Sequence, residues 1–320
     1  MRSSCYWRLV KLLAASALLV LSAQIFFSTT SKPPPKPSAL SVEEYRLLSP
    51  QTYQYHLNEP AVCRDRSPFL LFMVPVSPVE AAARQAVRST WGAPAPGRDS
   101  LTLFYVGLPE GGQGSSSQDE LEEESRRHGD IIQMNFQDSY QNLTIKTMMM
   151  MNWLSTHCPN ASYAMKVDAD IFVNVLYLIR RLSSSPRQGF ITGSVISDGR
   201  PRRDSNSKWH VSKDLYPDDS FPPYVSGAGY VFSTDLAPRI SWASRFVRMI
   251  PLEDVYVGLC LHVLDVRPVY CRSLTLRNLF EIRQLEYDRC TFAKLVIVNG
   301  FKPPQLLHVW QDFSKGHSSC

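Results

Sequence analysis

The chain has 320 residues, of which 44% are hydrophobic and 20% are charged, with a formal net charge of +5. These are ordinary values for a globular protein, and the length allows a sizeable core in one large or two average domains. Basic residues form no block apart from Arg200–Arg203. A nucleic-acid partner is therefore not expected.

The N-terminal segment predicts a membrane anchor. Residues 9–27 are almost purely apolar and come close to the roughly 20 residues that span a bilayer. Basic residues lie mainly before this run, so residues 1–8 form a cytoplasmic tail and the body is lumenal, as in a single-pass type II protein. The alternative is a cleaved signal peptide with Ser22-Ala23 in its cleavage site. Residues 28–66 read as a proline-rich stem, and residues 67–320 as one lumenal domain.

Two further features agree with a lumenal body. Asn142 and Asn160 each begin an Asn-x-Ser/Thr sequon and are candidate glycosylation sites. Six cysteines follow the anchor, so up to three disulfides can form, and their connectivity stays open. They are Cys63, Cys158, Cys260, Cys271, Cys290 and Cys320. No Cys-x-x-Cys pair occurs, so a zinc site is not expected.

The order of apolar and amphipathic segments predicts an α/β fold. Strands are expected at 69–76, 101–106, 131–136, 163–167 and 190–195, with helices at 79–91, 119–128 and 142–157 between them. This alternation favours a parallel sheet with short crossovers. Residues 40–65 either continue the stem or pack on the edge of the domain. The run Met148–Met151 is interpreted as core packing.

Two carboxylates follow the strand expected at 163–167. Asp168 and Asp170 would lie at the carboxyl end of that strand, where open α/β sheets bind their ligands. Carboxylate oxygens suit a hard divalent cation such as Mn²⁺ or Mg²⁺, which can bridge to the phosphates of a ligand. The alternative is that one Asp caps the next helix and the other is solvated.

Arginine and glycine pairs supply further candidates. Arg84 and Arg88 share one helix face, where they could bind a diphosphate or pair with acidic side chains. Gly227 and Gly229 could let the backbone approach a ligand closely, or could mark a bulge in a strand.

An acidic pair opens a later helix. Glu253 and Asp254 could supply a general base. They could equally be first-turn residues that favour the helix dipole. This position predicts a lowered pKa for Asp254.

Several segments together resemble the β-1,3-galactosyltransferase family, which includes β-1,3-N-acetylglucosaminyltransferases and the fringe enzymes. The resemblance runs from about Phe69 to Cys320. It rests on motifs in the family's order, namely Arg84–Gly92, Asp130–Ile132, Asp138–Thr147, Asp168–Asp170, Ser207–Trp209, Leu215–Pro217, Ser226–Tyr230 and Glu253–Gly258.

The resemblance implies a GT-A-type, Rossmann-like fold and a Golgi location. It also implies transfer of galactose from UDP-galactose to the 3-hydroxyl of a glycan on a glycoprotein or glycolipid, with inversion and a β1,3 link. Activity in the family depends on Mn²⁺. By position, Asp170 would bind the metal, Asp168 the metal or the ribose, and Asp254 would be the base, with Glu253 as second choice.

The chemistry of the implied reaction assigns the remaining candidates. Arg84 and Arg88 would face the diphosphate, and backbone at Gly227 and Gly229 would line the donor-sugar pocket. Trp209, with Lys208 beside it, is the candidate platform for an acceptor sugar. Core burial is the alternative for Trp209.

The chain departs from the family pattern at three places. Glu281-Ile282-Arg283 stands where members commonly show Asn-His-Trp, Asn299 where they show His, and Val225 where they show Cys. A histidine of this region is the expected extra metal ligand. Two other functions therefore stay open: the same transfer with UDP-N-acetylglucosamine, and a non-catalytic lumenal protein that binds glycans or a partner transferase.

Overall fold

A computed structural model describes residues 38–94, 97, 99–274 and 285–316. Its α-helices are α1 (Val42–Tyr45), α2 (Ala81–Arg88), α3 (Ser116–His128), α4 (Leu143–His157), α5 (Val175–Leu182), α6 (Leu236–Ala243), α7 (Glu253–Val263), α8 (Arg289–Phe292) and α9 (Pro303–Phe313). Its strands are β1 (Tyr55–Leu57), β2 (Leu70–Pro75), β3 (Ser100–Leu108), β4 (Ile131–Gln137), β5 (Tyr163–Val167), β6 (Phe172–Val173), β7 (Ile191–Ile196), β8 (Tyr224–Ser233), β9 (Val269–Tyr270) and β10 (Ile297–Val298).

Eight of these strands form one mixed sheet in the order β1-β4-β3-β2-β5-β8-β7-β9, and β6 pairs with β10 separately. Strands β4, β3, β2 and β5 are parallel, as predicted. The prediction of a parallel sheet is wrong further on, because β8 runs antiparallel to both β5 and β7. No helix crosses between β7 and β8 in the chain, so the strand returns in the opposite direction.

The strand order reverses between β2 and β5. The chain passes from β2 outward to β3 and β4, and then crosses back to place β5 on the other side of β2. Open α/β sheets bind ligands at the carboxyl ends of the strands at such a reversal. The fold therefore places the end of β5, where Asp168 follows, at the position where a site is expected.

The sheet is buried on both faces. Along β2, Leu71 and Met73 face one apolar cluster, whereas Leu70, Phe72 and Val74 face the other. This alternation explains why the strand is continuously apolar in sequence. The run from Met148 to Met151 lies on α4 and is buried in the first cluster, which confirms its role in the core.

The folded part begins earlier than the predicted boundary at residue 67. From Ala39 onward the described residues belong to one compact unit. Leu48 is buried in the core, and β1 pairs with β4 to form one edge of the sheet. Residues 39–66 thus pack on the edge of the domain, which was one of the two alternatives for residues 40–65. Across the described ranges no helix has the length and apolar character to cross a membrane; the predicted anchor at 9–27 lies outside them.

A disulfide ties this N-terminal segment to the centre of the domain. Cys63 bonds to Cys158, which ends α4, and the two lie 95 residues apart in sequence. Cys290 is also disulfide-bonded, whereas Cys260 is a buried thiol. The Cys63–Cys158 bond therefore holds residues 39–66 against the sheet independently of their modest apolar burial.

We expect the double substitution Cys63→Ala/Cys158→Ala to lower the free energy of unfolding by about 4 kcal/mol, because the bond closes a long loop in the unfolded chain. Denaturant unfolding of the oxidised protein measures this. Cys271→Ala, which leaves the bond intact, is the control. A loss below about 1 kcal/mol would contradict the expected contribution.

Candidate active site

Asp168 and Asp170 lie directly beyond the carboxyl end of β5. The N–H of Asp168 donates to the carbonyl of Ala228 on the neighbouring strand β8 at 3.2 Å. The carbonyl of Asp170 accepts from the N–H of Phe301 at 2.9 Å, just after β10. Two separate strands therefore fix the backbone of the acidic turn, so that its carboxylates stand at the edge of the sheet.

A buried lysine lies beneath the acidic turn. The Nζ of Lys166 is 2.7 Å from Asp168 Oδ1 and 2.9 Å from Glu253 Oε1, and it donates a hydrogen bond to the carbonyl of Gly227. Burial lowers the pKa of Lys166, but Asp168 and Glu253 outweigh it and raise the pKa overall. The ammonium group stays charged. It donates hydrogen bonds to Asp168 and Gly227 and forms an ion pair with Glu253, whose Oε1 has no hydrogen-bond partner among the described residues.

Gly227 connects this lysine to the second acidic pair. Its carbonyl accepts from Lys166, and its N–H donates to Asp254 Oδ2 at 3.1 Å. A Cβ at this position would lie 2.6 Å from Glu253 Oε1. The glycine is therefore required by the approach of the strand to two carboxylates of the chain itself, a reason that the sequence analysis did not identify.

Gly229 has a different environment. A Cβ there would lie 3.4 Å from Ile297 and Met165, which is ordinary van der Waals contact. Its position on β8, where it pairs with Val167, is buried in the sheet. Its expected role in lining a donor-sugar pocket stays a prediction.

Glu253 and Asp254, the first residues of α7, have different environments. Glu253 is buried and its Oε2 accepts from the hydroxyls of Thr147 and Tyr230, both at 3.3 Å. Burial raises its pKa to about 7; Lys166 opposes the shift, and Asp254 adds to it. The carboxylate of Glu253 is thus enclosed by the chain's own polar groups.

Asp254 is only partly buried, so its carboxylate is the more accessible of the two. Its Oδ1 accepts from the N–H of Val255 at 2.8 Å, and its Oδ2 from Gly227. Burial nevertheless raises its pKa, against the lowering effect of these N–H groups. The expectation of a lowered pKa is therefore wrong, because it considered the helix start and omitted desolvation.

The donor set at the acidic turn fits a divalent cation. Burial, with a contribution from Asp168, raises the pKa of Asp170 to about 6. A carboxylate whose charge is destabilised in this way is relieved when a cation binds beside it. Within the described ranges no group of three or more His, Cys, Asp or Glu side chains is arranged to hold a metal.

An aromatic pair stands beside the acidic groups. Trp209 is 46% exposed, which removes core burial as the explanation for this residue. Its Nε1 donates to the hydroxyl of Tyr140 at 3.0 Å, and the Nζ of Lys208 lies 4.8 Å from the Trp209 ring centre. The pKa of Tyr140 is raised, first by burial and then by the negative charge of Asp254, Asp168 and Glu253. The Tyr140 hydroxyl therefore lies within electrostatic range of both acidic pairs.

Sequence reasoning did not identify Lys166 and Tyr140 as members of the site. A charged residue inside an otherwise apolar strand was the available signal for Lys166, since a buried lysine needs partners. Tyr140 offered no such signal, because a single tyrosine before a helix is common.

Arg84 and Arg88 occupy ion pairs inside the protein. Arg84 is fully buried. Its Nε and Nη2 donate to the carboxylate of Glu124, its Nη1 donates to the carbonyl of Ser77, and its Nη2 also donates to the carbonyl of Pro78. Arg88 donates to Glu124 at 2.6 Å and to both oxygens of Asp130 at 2.7 Å. Of the two roles considered, the structure supports pairing with acids. These arginines join α2 to α3 and β4 rather than presenting charge to a ligand.

The two sequons differ in exposure. Asn160 is exposed in the turn between α4 and β5. Asn142 is partly buried, its amide donates to the carbonyl of Gln137 at 2.8 Å, and the Thr144 hydroxyl donates to Ile250 inside the protein. Asn160 is therefore the sequon that the folded surface presents, and glycosylation at either site stays a prediction.

The departures from the family pattern fall at different depths. Val225 is fully buried on β8, opposite Val195, where it contributes to the core. Asn299 is partly exposed, two residues before Phe301, which binds the Asp170 carbonyl. Glu281, Ile282 and Arg283 lie outside the described residues.

The sequence is similar to those of known galactosyltransferases. A family model described as Galactosyltransferase matches residues 82–272. The β-1,3-galactosyltransferase 1 of Mus musculus is 38% identical over 333 residues, which cover 99% of this chain and 98% of that protein. The β-1,3-galactosyltransferase 2 of Mus musculus is 40% identical over 274 residues, which cover 84% of this chain. This chain spans only 64% of the length of that second relative.

Similarity to solved structures is more distant. A WbbM bifunctional glycosyltransferase in its apo form aligns with a TM-score of 0.42 and 11% identity, over 78% of this chain and 50% of the other. The galactosyltransferase LgtC, in complex with donor and acceptor sugar analogues, aligns with a TM-score of 0.36 and 11% identity, over 63% of this chain and 73% of the other.

We expect Gly227→Ala to lower the free energy of unfolding by about 1–3 kcal/mol, because the added methyl group would overlap Glu253 Oε1. Gly229→Ala is the matched control on the same strand, since its new methyl group would meet only ordinary contacts. Chemical unfolding of both variants measures the difference. Equal losses for the two would show that the close approach at Gly227 is relieved at no cost.

The raised pKa of Glu253 predicts that the free energy of unfolding depends on pH. Its pKa is about 7 in the folded chain against 4.5 for the unperturbed group, so between these values the folded state binds a proton that the unfolded state has released. The contribution of Glu253 to the free energy of unfolding should therefore fall as pH rises from about 4.5 to 7, by up to about 3 kcal/mol.

Glu253→Gln should remove this fall. The measurement is the stability difference between wild type and variant at several pH values between 4.5 and 7.5. Glu120→Gln, at an exposed site on α3, is the control for the loss of a surface carboxylate. A stability difference for Glu253→Gln that stays constant with pH would refute the raised pKa.

Proposed function

We propose that this chain, which belongs to the galactosyltransferase family, transfers galactose from UDP-galactose to the 3-hydroxyl of a glycan acceptor and forms a β1,3 linkage with inversion. The proposal rests on the carboxylate of Asp254, a residue that is only partly buried. It is held by two backbone N–H groups and is connected through Gly227 and Lys166 to Asp168 at the end of β5. The proposed base, Asp254, and the proposed metal ligand, Asp168, are thus connected through the same two residues.

Asp254 is the proposed general base. The acceptor hydroxyl oxygen forms the new bond to C1 of the sugar, the bond from C1 to the UDP oxygen breaks, and Asp254 takes the hydroxyl proton. Its raised pKa improves it for this task, because a stronger conjugate base accepts a proton more readily. Glu253 is the weaker candidate, since Lys166, Thr147 and Tyr230 enclose its oxygens.

Asp168 and Asp170 would hold the metal, which we propose to be Mn²⁺. The bound ion would supply charge neutralisation for the diphosphate that leaves with UDP. Asp170 fits this role because burial and Asp168 hold its pKa at about 6. Asn299, which replaces the histidine of the family pattern, lies on the segment that also binds the Asp170 backbone through Phe301.

The exposed pair of Trp209 and Tyr140 supports an acceptor platform. Sugar rings present C–H faces that pack on aromatic rings, and Lys208 adds a hydrogen-bond donor at the edge of the pair. The hydrogen bond from Trp209 Nε1 to the Tyr140 hydroxyl fixes the two rings relative to each other. An acceptor held there would lie beside the proposed base.

We further propose a GT-A-type fold for the domain and a type II Golgi membrane location for the protein. The reversal of strand order between β2 and β5, with acidic residues at its carboxyl edge, supports the first. The apolar segment at 9–27, the sequons and the disulfides support the second.

The test is an assay of the full-length protein in detergent with UDP-galactose and a panel of glycan acceptors, with and without Mn²⁺. We expect Mn²⁺-dependent β1,3 transfer, and a kcat about 10²–10⁴ lower for Asp254→Asn, since the base is lost. Asp65→Asn, an exposed carboxylate far along the chain from the site, is the control and should match wild type.

A parallel assay with UDP-N-acetylglucosamine separates the donors. Transfer only from that donor would replace galactose in the proposal. Absence of transfer from both donors by folded wild type would instead favour a non-catalytic glycan-binding protein, the alternative that Asn299 suggests.

A further inference from the structure

The ammonium group of Lys166 has more partners than are needed to compensate its charge. It is buried in the middle of the sheet, and its Nζ contacts three acceptors from three different elements. Asp168 follows its own strand β5, Gly227 lies on β8, and Glu253 begins α7. One partner would be enough to keep a lysine charged. Three partners fix the distances among the elements that carry them.

Two of these contacts connect Lys166 to the two groups of the proposed reaction, the metal ligand and the base. The contact with Asp168 leads to the metal side. The contact with the Gly227 carbonyl leads to the base, because the N–H of Gly227 holds Asp254 Oδ2 at 3.1 Å. The path from Asp168 to Asp254 thus runs through one ammonium group and one glycine residue.

We propose that Lys166 is a positioning residue that sets the base Asp254 relative to the metal-side carboxylate Asp168, and that its charge weakens the binding of the divalent cation by Asp168. This inference rests on the proposed function. The second half follows from electrostatics, since a cation held 2.7 Å from a carboxylate oxygen opposes a second cation on the same group. Lys166 therefore lowers the affinity of Asp168 for the metal while it fixes the geometry of the site.

A simple removal of Lys166 cannot test this, because it leaves Glu253 buried without its cation and can unfold the protein. The double variant Lys166→Met/Glu253→Gln removes both members of the buried pair with side chains of similar size. Glu253→Gln alone is the matched reference, since it keeps Lys166. Comparing these two variants isolates the lysine, whatever Glu253→Gln does by itself. Thermal unfolding confirms that both are folded.

Two measurements on the full-length protein distinguish a positioning role of Lys166 from a role as the counter-ion of Glu253. Calorimetric titration of Mn²⁺ in the presence of UDP should give a Kd about tenfold lower for the double variant than for Glu253→Gln, because the opposing charge is gone. In the same comparison kcat for transfer should fall about 100-fold, with KM for the acceptor nearly unchanged. Tighter metal binding with slower turnover is a pattern that general loosening of the fold does not produce.

Equal Mn²⁺ affinity and equal kcat in the two variants would overturn the proposal and leave Lys166 as the counter-ion of Glu253. Mn²⁺ affinity that falls in the double variant would overturn it also. If wild type shows no transfer, the proposed function fails, and the Mn²⁺ titration alone still decides whether Lys166 opposes the cation. If the double variant does not fold, Lys166→Arg takes its place against wild type. It keeps the charge but cannot make the same three contacts, so kcat should fall while Mn²⁺ affinity stays.

Discussion

The buried ammonium group of Lys166 is the interaction on which the site depends. It lies among Asp168, Glu253 and the carbonyl of Gly227, in an interior where an unpaired charge would be very costly. The mixed sheet makes this possible, since β8 is inserted antiparallel beside β5 and brings Gly227 next to the lysine. The change from a parallel to a mixed sheet is therefore what assembles the two acidic pairs, which lie far apart in sequence.

Gly227 connects Lys166 to Asp254, the proposed base. A peptide unit can accept at its carbonyl and donate at its N–H, and neighbouring groups here use both. The absence of a Cβ allows Glu253 to approach the strand from α7. Flexibility is not the reason for this glycine, because the residue is held on both sides in a regular strand. Its small size is what matters.

The sequence predicted the strands and helices of the first half well, since continuous apolar runs and amphipathic periods are local signals. The strand Tyr163–Val167 and the buried methionine run are examples. Partners across the sheet were not predictable in the same way. The spacing of Arg84 and Arg88 shows a shared helix face but cannot show that Glu124 and Asp130 face it. The pKa of Asp254 was mispredicted for a related reason, because desolvation depends on what packs over the helix start.

The charges within this frame bear on the need for a metal. Asp168 and Glu253 bring two carboxyl groups to a single lysine, and Asp254 and Asp170 add two more that the lysine does not contact. Burial is the main cause that raises the pKa values of Asp170, Glu253 and Asp254. Such a site holds excess negative charge, so a donor that carries a diphosphate would be repelled by it. A divalent cation at the acidic turn would reverse the sign of the charge that the diphosphate meets. Because Lys166 already compensates Glu253, such a cation would act on the side of Asp168 and Asp170. Asp254 would then be the carboxylate that contacts neither metal nor lysine, as its proposed role as the base requires.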